Sequence, residues 1–318
     1  MRYKPLGNTG MKVSELALGT WGIGGAGWDQ RPEESRLGAI RAAVECGVNI
    51  IDTAPAYNAG EAERYVGRVL EELGARHQVV LTTKCGTEFL DGSYVRDCSA
   101  EAVIRECENS LRNLRTDYID LYLIHWPDGK TPFPETMDAL SRLKRQGKIL
   151  HVGVSNFTRQ QMEEAGAFCP IEVYQAQHSM VFQENEETMR WAAGQGMGVM
   201  AYGALGGGIL TGATREKKEY APSDSRSRFY RHFQEPMFSR IMALLKEMDR
   251  FSSEKGSVPL SQIALNWSAQ KPFVSCCIVG AQSRKRMEEN AAAFDWSLSP
   301  EECALLEEMI ARNLRADA

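Results

Sequence analysis

The chain has 318 residues, 43% of them hydrophobic and 25% charged, and carries a net charge of −5. That balance suits a packed globular protein rather than a disordered one, and an acidic chain lacks the basic stripe with which proteins neutralise the phosphates of nucleic acid. Neither a secretory leader nor a long apolar span is evident, so no membrane partner is implied and a cytoplasmic location is expected.

In chain order, residues 2–16 place a turn cluster, Gly7-Asn8-Thr9-Gly10, between two short extended runs, which predicts an N-terminal hairpin plugging the floor of a barrel. Eight short apolar runs rich in Val, Ile and Leu then read as strands: 15–20, 48–52, 79–83, 119–125, 150–155, 172–175, 198–202 and 276–280. Stretches with apolar residues at three- and four-residue spacing separate them, as at 32–47, 61–74, 100–114 and 134–147. Pro32 and Pro134 suit first turns of helices, and Gly47, Gly74 and Gly147 suit the left-handed residue that ends one.

Strands that are apolar throughout are expected where both faces of a parallel sheet are covered. Eight such units predict an α/β fold, a (β/α)8 TIM barrel with an N-terminal β-hairpin and a C-terminal helix, as one domain over 1–318. The rival is an open doubly wound sheet. It would place G-x-G-x-x-G directly between the first strand and a helix, whereas here TWGIGGAGWDQ leads into an aromatic loop. The polar stretch from Gly212 to about Glu235 is longer than ordinary connections and predicts a mobile loop over the site.

The eight cysteines (46, 85, 98, 107, 169, 276, 277 and 303) are scattered, with no C-x-x-C pair and no zinc-like spacing. They read as reduced thiols and no metal is expected. Cys276 and Cys277, inside VSCCIVG, read as packing residues.

Active sites of barrels lie at the carboxyl ends of the strands. Those ends carry Asp52 with Tyr57 just beyond it, Lys84, His125, Ser155-Asn156, Gln175, Tyr202 and Gly280. Taken singly each has an ordinary alternative: Asp52 a helix cap, Lys84 a surface lysine, His125 a structural histidine, the tyrosines packing aromatics. Taken together, Asp52, Tyr57, Lys84 and His125 form a device for delivering a proton to a carbonyl oxygen. Tyrosine holds its proton at neutral pH, an adjacent ammonium would lower its pKa, an aspartate would orient that ammonium, and a neutral histidine could donate to the same oxygen.

The stretches LALGTWGIGG, GVNIIDTAPAYNAGEAERYVG, TDYIDLYLIHWPD, GKILHVGVSNFT and VGAQSRKRMEENAAA resemble the aldo-keto reductase family over essentially the whole chain. The bacterial branches near methylglyoxal, sugar and inositol-related reductases are the most similar. The resemblance implies NADPH/NADP+ as cofactor, with NADH possible, a small carbonyl or alcohol as substrate, and Tyr57 as acid in reduction and base in oxidation. It also implies cofactor contacts from Gly19, Thr20, Trp21 and Asp52, and a carboxamide held by Ser155, Asn156 and Gln175. Tyr202 would stack on nicotinamide, Gly203 and Leu205 would lie at the pyrophosphate loop, and Gly280, Gln282, Arg286, Glu289 and Asn290 at the adenosine end. Arg286 favours NADPH; Gln282 stands where many relatives carry a cation. Trp21, Tyr57, His125 and Trp126 would meet substrate, with Phe229 or Phe233 from the long loop completing an aromatic pocket and Arg226 and Arg228 as loop cations. Two other functions fit parts of the pattern: a Schiff-base lyase using Lys84, against which a carboxylate partner argues by holding the lysine protonated, and a non-catalytic NADPH-binding regulatory module. The sequence leaves the oligomeric state open.

Overall fold

The computed structural model describes residues 1–25, 27–28 and 31–314. A hairpin, β1 (Tyr3–Pro5) and β2 (Lys12–Ser14), precedes β3 (Leu16–Gly19), α1 (Trp21–Gly24), α2 (Glu33–Glu45), β4 (Ile50–Asp52), α3 (Glu61–Leu73) and β5 (Val80–Cys85). A second hairpin, β6 (Glu88–Leu90) and β7 (Ser93–Val95), leads to α4 (Ala100–Leu114), β8 (Ile119–Ile124), α5 (Phe133–Arg145), β9 (Ile149–Ser155), α6 (Arg159–Gly166), β10 (Val173–Gln177), α7 (Glu186–Gly194) and β11 (Gly198–Tyr202). The chain finishes with α8 (Ser225–Arg228), α9 (Met237–Glu254), α10 (Leu260–Ala269), β12 (Cys276–Gly280), α11 (Arg284–Ala291) and α12 (Pro300–Leu314).

The eight parallel strands close in the order β10-β11-β12-β3-β4-β5-β8-β9, the predicted (β/α)8 barrel with its N-terminal hairpin and C-terminal helix. Each strand alternates. One side of the pleat turns to the helices, as with Leu16, Leu18, Ile51, Val199 and Cys277. The other fills the interior, where Ala17, Ile50, Leu121, Leu123, Val173, Met200 and Cys276 meet. The adjacent cysteines therefore occupy opposite faces of one strand as buried free thiols, which burial pushes up in pKa.

The hairpin closes the floor. Leu6, fully buried, joins the interior cluster and packs on Gly198, the first residue of β11. Gly7 has φ +53°, and a side chain there would lie 2.2 Å from the Gly198 nitrogen, so glycine is required on both counts. Gly47, Gly74 and Gly147 all adopt left-handed backbone at or just past helix ends. Pro134 sits in the first turn of α5, whereas Pro32 caps α2 from outside it.

Three departures from the sequence reading concern the upper rim. The aromatic stretch after β3 begins with the single helical turn of α1. The Gly212–Glu235 stretch contains α8 and a short 3-10 turn at Arg231–Phe233. The β6–β7 hairpin was not predicted, although Asp91-Gly92, both with positive φ, is a strong hairpin-turn pair.

Candidate active site

Period-two alternation carried to the upper ends of the strands puts polar side chains where the interior layers stop. Asp52 follows Ile50 by two residues, Gln175 follows Val173 and Tyr202 follows Met200. Register aligns them around the ring, with Gly19 opposite Asp52, Lys84 opposite Leu123, and Ser155 opposite Gln175.

The four residues of the proposed proton device come together. Lys84 is fully buried, and its Nζ donates to Asp52 Oδ1 at 2.7 Å and to the Thr53 carbonyl at 2.9 Å, with the Tyr57 hydroxyl at 3.4 Å. The other carboxylate oxygen, Asp52 Oδ2, accepts from Gln175 Nε2 at 2.7 Å. Tyr57 meets His125 edge-on, with ring centroids 5.8 Å apart, and stacks on Trp21 at 6.3 Å. Burial, assisted by Lys84 and Arg96, holds His125 well below its usual range, so the imidazole is neutral.

Two electrostatic expectations need correction. Burial and then the Asp52 carboxylate hold the Tyr57 phenol well above its ordinary pKa, so the lowering expected from Lys84 is not the dominant effect. Burial also lowers the Lys84 pKa despite the opposing pull of Asp52. Both shifts reflect burial of the two groups among protein atoms, which disfavours their charged forms.

Asn156, at φ +61°, donates through Nδ2 to the His125 carbonyl and Ser155 Oγ, both at 3.0 Å, and its Oδ1 accepts from the Tyr202 hydroxyl at 2.8 Å. This chain of contacts joins the ends of β8, β9 and β11. A cavity of about 700 Å³ opens over it. Gly19, Thr20, Trp21, Asp52, Tyr57, His125, Trp126, Ser155, Asn156, Gln175, Tyr202, Gly203, Leu205, Gly280, Gln282 and Arg286 all line this cavity.

Lys84 lies beneath the cavity wall. Glu289 and Asn290 do not line it either: the Glu289 carboxylate is 3.1 Å from the Arg286 guanidinium, and Asn290, on α11, is buried with its Nδ2 unpartnered. Gln282 Nε2 donates to the Gly22 carbonyl at 2.7 Å and so ties α1 to the end of β12. Phe229 and Phe233 both reach the cavity, and the Phe229 ring stands 5.5 Å from Trp21. Arg226 also lines it and is clamped by Asp224 at 2.9 and 2.6 Å; the Arg228 side chain lies outside the described residues.

Trp28, Arg31, Tyr94, Arg96 and Ser283 line the cavity without having been singled out in the sequence. The Asp91-Gly92 turn could have flagged Tyr94 and Arg96, since it projects a hairpin above the rim. Among the described residues no cluster suited to a metal occurs, and no helix is long and apolar enough to cross a membrane.

Comparison with known proteins matches residues 15–311 to the aldo/keto reductase family. The chain is 33% identical to aldo-keto reductase YhdN of Bacillus subtilis over 95% of this chain and 91% of that protein. It is 31% identical to an NADH-specific methylglyoxal reductase of Escherichia coli (97% and 98% covered) and 32% identical to a probable voltage-gated potassium channel subunit beta of Arabidopsis thaliana (93% and 92%). The solved glycerol dehydrogenase AKR11B4 of Gluconobacter oxydans superposes with a TM-score of 0.89 at 31% identity, covering 98% of this chain and 96% of that one. With its eight-stranded barrel, its rim of Asp52, Tyr57, Lys84 and His125 and a match over nearly its full length, the chain belongs to the aldo/keto reductase family of NAD(P)-dependent oxidoreductases.

Proposed function

We propose that this protein, as a single domain acting in the cytoplasm, reduces small aldehydes and ketones, or oxidises the matching alcohols, with NADP(H) as its preferred cofactor and Tyr57 as the proton donor. The observation that carries this reading is the buried chain Gln175–Asp52–Lys84–Tyr57, which ends on a phenol at the cavity wall beside a neutral imidazole.

The cavity suits a dinucleotide. Its β12 end has Gly280, where an added Cβ would meet nothing closer than 3.9 Å, the Ser283 cap of α11, and Arg286. A helix N-terminus with a guanidinium beside it favours a phosphate monoester. Its other end has the Ser155, Asn156 and Gln175 side chains for a carboxamide and the Tyr202 ring for a flat heterocycle. When bound, the nicotinamide supplies or takes the hydride.

The chain's own residues do the rest. Tyr57 OH and the His125 ring converge on the position of a carbonyl oxygen; Tyr57 gives that oxygen its proton as negative charge develops, and takes it back in oxidation. Lys84, fixed by Asp52 and the Thr53 carbonyl, stabilises the phenolate that remains. Trp21, Trp126 and Phe229 exclude water and favour a compact substrate. The names of the relatives, a methylglyoxal reductase and a glycerol dehydrogenase, agree with a substrate of that size.

The lyase alternative finds little support, because the Lys84 ammonium has three oxygen neighbours and lies behind the wall. The test is absorbance of the reduced nicotinamide with NADPH or NADH and a panel of small aldehydes, ketoses and inosose-like ketones. Consumption with NADPH supports the reading. Cofactor binding without turnover of any member would favour a regulatory module, as the name of the plant relative suggests for that protein.

A further inference from the structure

One cation on the cavity wall has no part in the proposed chemistry. Arg96 follows the β6–β7 hairpin, and its guanidinium lies over the Trp126 ring, 4.7 Å from the centroid. Both residues line the cavity, Trp126 two positions past the end of β8. Stacking fixes the plane of a guanidinium while leaving its N–H donors free for oxygen ligands.

The carboxylates around Arg96 are committed elsewhere. Asp97 Oδ1 accepts from the Ser99 N–H at 3.0 Å. Asp128 accepts from the backbone N–H groups of Cys98, Lys130 and Thr131 and from the Thr131 hydroxyl, at 2.6 to 3.0 Å. Glu88 pairs with Arg105 at 2.8 Å. Among the described residues Arg96 therefore faces the cavity with an aromatic partner and no anionic one. Arg226 differs, being held by Asp224.

Position separates Arg96 from the cofactor's phosphates. In the ring of strands β8 is the fourth neighbour of β12, so the two stand on opposite sides of the barrel. Arg286 and Ser283 belong to the β12 side, whereas Arg96 and Trp126 belong to the β5–β8 side, where His125 directly follows β8, and Tyr57, beyond β4, stands between the two sides. Its charge acts on the His125 ring, which places it within electrostatic reach of the reacting oxygen.

Resting on the reductase reading, we propose that Arg96 is a substrate subsite for an anionic group, so that the preferred substrates are small carbonyl compounds carrying a carboxylate or phosphate a few bonds from the carbonyl. The carbonyl oxygen sits at Tyr57 and His125, and the anionic oxygens take the guanidinium donors in a charge-assisted pair. Arg96 is exposed at the mouth, so solvent screens the pair and the preference is moderate.

The experiment compares kcat/KM for D-glyceraldehyde 3-phosphate against D-glyceraldehyde and for 4-oxobutanoate against butanal, using the wild type, Arg96→Met and Arg96→Lys at low and high salt. The wild type should prefer the charged member of at least one pair by about tenfold, chiefly through KM, and high salt should shrink that preference. Arg96→Met should bring the ratio near one, and Arg96→Lys should restore part of it. The two pairs distinguish phosphate from carboxylate. Turnover of the neutral members with no preference for either anion, or a preference that survives in Arg96→Met, overturns this subsite and leaves the reductase reading standing. Failure of all four substrates with both cofactors sinks the reductase reading and the subsite with it.

Discussion

Replacing Tyr57 with phenylalanine removes one oxygen and keeps everything that holds the ring. The stack on Trp21 and the edge contact with His125 involve carbon faces and are retained. Lys84 loses only its longest contact, 3.4 Å, while keeping Asp52 and the Thr53 carbonyl at 2.7 and 2.9 Å. Stability should therefore change by less than about 1 kcal/mol. The proton donor disappears entirely. Positioned acid–base catalysis contributes roughly 10² to 10⁴ in rate, so kcat should fall about a thousandfold, ~4 kcal/mol of barrier. Steady-state oxidation of NADPH with an accepted aldehyde measures the loss, and a fluorescence titration with NADPH should give a Kd within about threefold of wild type. A variant keeping kcat within about tenfold of wild type would refute Tyr57 as the acid and transfer the role to His125.

Lys84→Met leaves the Asp52 carboxylate, 2% exposed, with the Gln175 amide as its remaining side-chain partner, so urea unfolding should show a loss of about 3–5 kcal/mol; a loss below about 1 kcal/mol would mean that the Lys84–Asp52 pair does not hold the fold at this site. Arg286→Ala should weaken NADPH binding roughly tenfold or more with little effect on NADH, read as two Kd values, because only NADPH carries the extra phosphate; equal losses would remove Arg286 from that role. Glu106 lies buried under the β5 rim, accepting one bond from the Gly86 N–H, and burial raises its pKa from 4.5 to about 8. Between those values the unfolded chain is ionised while the fold keeps the proton, so stability should fall as pH rises through that window. Glu106→Gln, with no charge to lose, should gain on the wild type by on the order of 4 kcal/mol between pH 4.5 and pH 8, by urea unfolding at both pH values; a wild-type stability that stays flat across the window would contradict the buried, protonated carboxyl.

Several sequence signals are local and survived into the structure. Gly7, Gly47, Gly74 and Gly147 are needed where the backbone turns left-handed, and those conformations are set by the residue itself. The eight apolar runs became the eight barrel strands, with ends displaced by one or two residues at most of them, because a strand stops where its partner in the register stops. The β6–β7 hairpin was missed because only three residues flank its turn on each side, too few for alternation to stand out, and with it went Tyr94 and Arg96. Glu289 and Asn290 lie one helical turn past Arg286, and the direction in which α11 leaves the rim turns them from the cavity.

By itself the sequence determined the β-α alternation, the hairpin plug and the chemical types at the strand ends, since apolar period, turn residues and side-chain chemistry are properties of short segments. Tertiary structure alone decided which of those ends meet and in what electrostatic state. Closure of the ring brings Gln175 to Asp52 across 123 positions of chain, buries Lys84 behind the wall, and turns the lowering expected for the Tyr57 phenol into a rise. Those outcomes depend on desolvation and register, and both arise only when distant strands pack together.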